Sequence, residues 1–147
     1  DEEKKEKIAH LFSQIMDVMG LDLTDDSLQG TPKRVAKMYI DEIFSGLNPA
    51  NKPKVALFTN KYKYNQMLVE KNITFYSSCE HHFVPIIGKA HVAYISSENV
   101  AVIIDAKHLC VSSRGVKDDT SSTVTSYFGG VFNTSEKIAE LQNTLNY

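Results

Sequence analysis

No apolar run in this chain approaches the length of a membrane span, and neither sign of charge is in real excess: 16 Lys and Arg stand against 18 Asp and Glu, a formal charge of −2. The first shortage predicts a protein that does not enter a membrane. The second excludes bulk electrostatic attraction to nucleic acid or to a membrane surface, so an anionic ligand must be held by a local cluster of cations. Residues 1–7 are a charged run without secretory character, which predicts a cytoplasmic location. Internal repeats and low-complexity segments are also missing. Cysteine is scarce, at two residues, too few for a four-thiolate metal site. What remains is ordinary: 147 residues, 42% hydrophobic and 23% charged, fit one globular domain with a sizeable core.

Both cysteines stand beside histidines, in Cys79-Glu80-His81-His82 and in His108-Leu109-Cys110. Zinc favours thiolate and imidazole, and three protein ligands with one open position mark a catalytic rather than a structural site. Cys79, His82 and Cys110 can supply those three. His81 and His108 then stand beside the metal, free to move protons, which is the composition of a hydrolytic site. The run 100–104 reads as a strand, and His108 and Cys110, two residues apart just beyond it, would share a face. Cys79 and His82 follow a β-rich run at 73–78, where a turn lets residues three apart converge on one ion. The plainer readings are a disulfide, an inert buried thiol, or histidines satisfied elsewhere. The joint spacing favours zinc over all of them.

Along the chain, residues 3–19 carry a helical stripe of Ile8, Leu11, Phe12, Ile15, Met16 and Met19, read as core, with Gly20 placed to end the helix. A second helix is expected to start with Thr31 as N-cap and Pro32 at its first position, and to close at Gly46. Strands are expected at 55–60, 73–78, 89–96, 99–106 and 121–128, and a short terminal helix at 135–143. Helices first and strands afterwards predict α+β with an antiparallel sheet. The chain reads as a single domain, 1–147, with a helical part over 1–47 and a β-rich part over 54–147. Arg34 and Lys37 share a face of the second helix. Arg114 follows Cys110 by four residues, close to the expected metal. Exposed Lys and Arg are common, so the helix pair alone reads as a solvated face; Arg114 is the better anion ligand, because a planar guanidinium suits phosphate oxygens.

Three stretches together resemble the GTP cyclohydrolase I family: TPKRVAKMYIDEIFSGL at 31–47, SSCEHHFVPIIGKAHVAYI at 77–95 and IDAKHLCVSSRGVKDDTSSTVTSYFGG at 104–130. The resemblance implies the tunnelling fold, in which sheets from several subunits close into a barrel, and an assembly of two stacked pentamers with active sites between subunits. It implies zinc as the metal, held by Cys79, His82 and Cys110, with His81 and His108 as catalytic histidines. Arg34, Lys37 and Arg114 match triphosphate-binding positions. The implied reaction is hydrolysis of the imidazole ring of GTP, with loss of formate and closure of a dihydropterin ring, on the way to folates and biopterins.

The chain departs from that family at residues 95–99. A helix pair is expected there between the second and third strands, carrying a Leu-Ser-Lys motif and a Gln-Glu pair whose glutamate grips the guanine edge. None of these is present. Read literally, Ser96 to Glu98 is a tight hairpin, which would bare alternating apolar residues of 92–95 and 100–104. That cost favours a polypeptide with a further stretch between Ser97 and Glu98. A true deletion would leave a protein that binds zinc and nucleotide without turning GTP over.

Overall fold

The computed structural model describes residues 1–146, which form two compact units divided between Leu57 and Phe58. The first is helical. Helix α1 spans Glu2–Val18 and stops in a Schellman turn: Gly20 sits at φ 78°, its N–H bonds Asp17 O, and the N–H of Leu21 reaches back to Met16 O. The apolar stripe of α1 is only partly core. Met16 is 2% exposed, whereas Leu11 and Ile15 are half exposed and Met19 is 68% exposed. Helix α2 spans Thr31–Lys37. Gly30 takes the N-cap position expected for Thr31, because the Thr31 hydroxyl instead accepts from Arg34 Nη2 at 2.7 Å.

Beyond Lys37 the expected single helix widens into a π-helix over Met38–Ile43. The Phe44 N–H bonds Tyr39 O, and the five-residue register lays these two rings over one another with centroids 5.6 Å apart. Lys5 pairs with Asp41 at 3.1 Å, tying α1 to this segment.

The second unit is a four-stranded antiparallel sheet in the order β1-β2-β3-β4: Leu68–Ser78, Pro85–Ser96, Asn99–His108 and Thr123–Phe128. This is the expected α+β class, and four of the five expected strands are there. The stretch 55–60 is not a strand; Val55, Leu57 and Phe58 are exposed, and no sheet partner pairs with their backbone among the described residues. A short helical turn, α3, spans Leu109–Ser112, and helix α4 spans Ser135–Leu145, capped by the Thr134 hydroxyl. No helix among the described residues is long and apolar enough to cross a membrane.

Strands β2 and β3 are joined by the literal hairpin: Ser96 pairs with Asn99 around Ser97-Glu98. One of its two faces is covered, while Tyr94 on the other stays 39% exposed. Ala93 and Ala101 face each other across the strands and are buried with Phe132 and Leu141, while Ile95, Ile103 and Phe128 pack around them. The Asn99 side chain locks this end of the sheet, donating to Ser96 Oγ at 2.7 Å and accepting from the Val131 N–H at 2.9 Å. Gly130 is held at φ 59° beside it, where a Cβ would run into Asn99 Oδ1 and the Glu98 carbonyl. Gly130→Ala is therefore expected to cost about 1–3 kcal/mol in chemical denaturation, from positive φ and overlap together. A midpoint matching the parent would refute this clamp.

Candidate metal centre

The pairing of β1, β2 and β3 brings the two cysteine motifs together. The last β1–β2 pair is Ser78 with Pro85, and the connection between them folds back on itself: the Cys79 N–H bonds Val84 O, and the Phe83 N–H bonds Cys79 O. Phe83 takes φ 52° to make that turn. On the neighbouring strand His108 stands opposite Ile86, beside this loop. His108 is the last residue of β3, and Cys110 lies on α3 rather than on the strand. The two therefore converge across a strand-to-helix junction, not along one face of a strand.

The ligand atoms of Cys79, His108 and Cys110 all lie within 4.8 Å of one another, a group that can hold a metal ion. They line a cleft of about 560 Å³ together with Ser77, His81 and Ile86. Both cysteines are free thiols. Cys79 is buried, and its Sγ is 3.9 Å from His81 Nδ1. His82 is not part of the three-atom group. It contacts the cluster differently, through a side-chain hydrogen bond to Cys79, while its Nε2 lies 3.1 Å from Arg114 Nη1. That Arg114–His82 contact had no signal in the sequence, since 32 residues separate the partners.

The two thiols are electrostatically unlike. The backbone N–H of His81, then the His82 side chain, hold Cys79 well below its ordinary value of 9.0, at about 6, against the opposing effect of burial. Burial pushes Cys110 up, reinforced by the neighbouring Cys79. At neutral pH the pair is one thiolate and one thiol. A metal needs both as thiolates, so binding at pH 8 is expected to release about one proton, from Cys110. Below pH 6 Cys79 is protonated too, and the release rises further. Calorimetry of metal binding in buffers of different ionisation enthalpy reads this count; an equal release at both pH values would contradict the split.

The remaining expected cations lie in the helical unit. Arg34 Nη2 donates to Ser27 O at 2.8 Å and to Thr31 Oγ1, so its guanidinium is tied into the start of α2. Lys37 lines a groove of about 640 Å³ between α1 and α2, with Lys5, His10 and Lys33.

The profile of the family described as GTP cyclohydrolase I matches residues 8–101 and 95–145. Relatives named GTP cyclohydrolase 1 include one from Flavobacterium johnsoniae, 52% identical over 172 residues, covering 90% of this chain and 77% of the relative. Another, from Vibrio cholerae, is 45% identical over 170 residues, covering 88% of this chain and 78% of its own. One from Pectobacterium carotovorum is 42% identical over 173 residues, covering 90% and 79%. These alignments are longer than the 147-residue chain itself, so the relatives carry residues inside the matched span that have no counterpart here. The two profile matches overlap over residues 95–101, at the β2–β3 hairpin.

Proposed function

The chain belongs to the GTP cyclohydrolase I family, and from that we propose that it converts GTP to 7,8-dihydroneopterin triphosphate and formate at a zinc ion held by Cys79, His82 and Cys110. The observation that carries this reading is the two thiols and the imidazole of His108 within 4.8 Å, in a cleft also lined by His81. Thiolate and imidazole donors fit zinc by softness and by charge. Zinc bound there supplies Lewis acidity and brings the pKa of its water toward neutrality.

The chain's own residues do the rest. In this reading His81 protonates nitrogen 7 of guanine, which makes carbon 8 more electrophilic toward water. His108 moves protons in the later steps, formamide hydrolysis and ring rearrangement. Arg114, Arg34 and Lys37 hold the triphosphate, with the sites completed between subunits of a decamer of two pentamers. A cytoplasmic enzyme of this kind feeds folate and biopterin synthesis.

Ligand count decides between the two histidines near the thiols. If His82 and His108 both joined Cys79 and Cys110, the tetrahedral shell would be closed, as in structural sites. One must stand off the metal, and the assignment here leaves His108 free. His82→Ala is expected to lose zinc. His108→Ala is expected to keep it while turnover falls by about 10²–10⁴-fold. Zinc content with the opposite pattern would transfer the ligand role to His108.

The reaction itself is tested by incubating the zinc-loaded protein with GTP and following pterin absorbance and formate. No product at full zinc occupancy would overturn the reading. The Ser97-Glu98 hairpin favours a second one, a protein that binds zinc and nucleotide without turnover; nucleotide would then raise the melting temperature with no formate formed.

A further inference from the structure

Between Ser113, whose N–H bonds Leu109 O at the end of α3, and Thr123, the first residue of β4, nine residues belong to no helix or strand. Arg114 stands at their start. Burial does not fix this loop, since Val116, its one large apolar residue, is 82% exposed. Its internal bonds give it shape. The Lys117 N–H reaches Arg114 O at 3.2 Å, and the Asp118 carboxylate accepts from the Thr120 N–H and hydroxyl and from the Ser121 N–H. Two hydrogen bonds tie it to the rest of the protein. Arg114 Nη1 lies 3.1 Å from His82 Nε2, and Lys107 Nζ donates to Asp119 O at 2.8 Å.

Lys107 stands outside the metal cleft. It precedes His108 on β3, so its side chain leaves the sheet on the opposite face. There it lines a second cleft, of about 520 Å³, with Thr74, Lys89 and Thr120, while His108 lines the first. We propose that Lys107 is a positioning residue for Arg114: from the far face of the sheet it pins the loop at Asp119 and so fixes where the guanidinium stands beside the metal site. This rests on Arg114 being a triphosphate ligand, as proposed above. The effect is entropic. A loop free over nine residues samples many arrangements, and an anion that needs one of them must order the rest. Pinning Asp119 leaves four residues, Gly115 to Asp118, between the two fixed points, and the Lys117–Arg114 bond already closes that span. A bond from an exposed ammonium to a carbonyl is modest, so it shifts affinity without deciding whether the anion binds.

The test is calorimetric binding of inorganic triphosphate to the zinc-loaded full chain. Lys107→Met keeps the length of the side chain and removes its donors, and affinity is expected to fall about three- to tenfold. Lys107→Arg can still donate to Asp119 O and should recover most of it. Loss of positive charge alone also weakens anion binding, so a double-mutant cycle decides. In Arg114→Met, adding Lys107→Met should change affinity by about twofold at most, because no guanidinium is left to position. An undiminished loss in that background would mean that Lys107 attracts the anion directly, and would overturn the proposal. Deuterium uptake by residues 114–122 supplies a readout that needs no ligand. It should be faster in Lys107→Met than in the parent and return to the parent rate in Lys107→Arg. Unchanged uptake in Lys107→Met would overturn the anchor. If Arg114→Met alone binds triphosphate as tightly as the parent, the role proposed for Arg114 fails instead, and uptake still decides whether Lys107 pins the loop.

Discussion

Cys110→Ala is expected to abolish zinc binding at micromolar metal and to lower formate release from GTP by more than about 10³-fold. The size follows from what the site has to spare. Two thiolates supply the negative charge that neutralises the ion, and three protein ligands are the minimum for a catalytic site of this type. Removing one thiolate leaves a single charge and two donors, while His108, which could move in, would then be withdrawn from proton transfer. Cys110→Ser separates metal loss from misfolding. Its hydroxyl can still donate to Cys79, replacing the thiol that helps hold the Cys79 pKa near 6, but it is a poor zinc ligand at neutral pH. The serine variant should therefore melt close to the metal-free parent, bind little zinc and make no formate. Substantial zinc in Cys110→Ala, measured by atomic emission, would contradict the proposed site.

How much of this was legible in the sequence depended on the range of the interaction. Period-two patterns placed β2, β3 and β4 within a few residues, because alternation is a local property and each strand has one face against Phe132, Leu141 or their neighbours. The same pattern failed at 55–60. A strand exists only if an edge accepts it, and nothing local in Val55 or Leu57 tells whether one does. Spacing alone assigns the stripe of α1 to the core, yet Leu11, Ile15 and Met19 stay half exposed or more. Spacing gives direction and does not say what lies in that direction. At the metal centre, donor chemistry identified Cys79 and Cys110, since few arrangements of thiol and imidazole serve anything else. It set His108 beside the metal, but did not foresee that His108 rather than His82 would join the two sulfurs in the close group, or that His82 would meet Arg114. Those contacts depend on the β2–β3 register and on the strand ending at His108, where α3 turns Cys110 back toward the loop.

The hairpin carries the other large effect. Ser97-Glu98 is a two-residue turn with Asn99 locked behind it, and it offers no side chain to replace the glutamate that the family resemblance places on the guanine edge. Cations on a triphosphate are blind to the base, so this chain is expected to bind GTP and ATP with affinities within about tenfold of each other. A carboxylate facing guanine changes that: it pairs with the two N–H donors of the base, whereas adenine would leave it buried and unpaired. Inserting into the turn a segment that presents a carboxylate to the guanine edge should raise selectivity for GTP by about 10²–10⁴-fold in kcat/KM. Asn99 stays in place in that variant, so its bonds to Ser96 and Val131 can persist and the sheet end need not be rebuilt. If the parent already turns GTP over with no activity on ATP, the base is read by residues outside the hairpin, and the short turn is a structural variation without a functional cost.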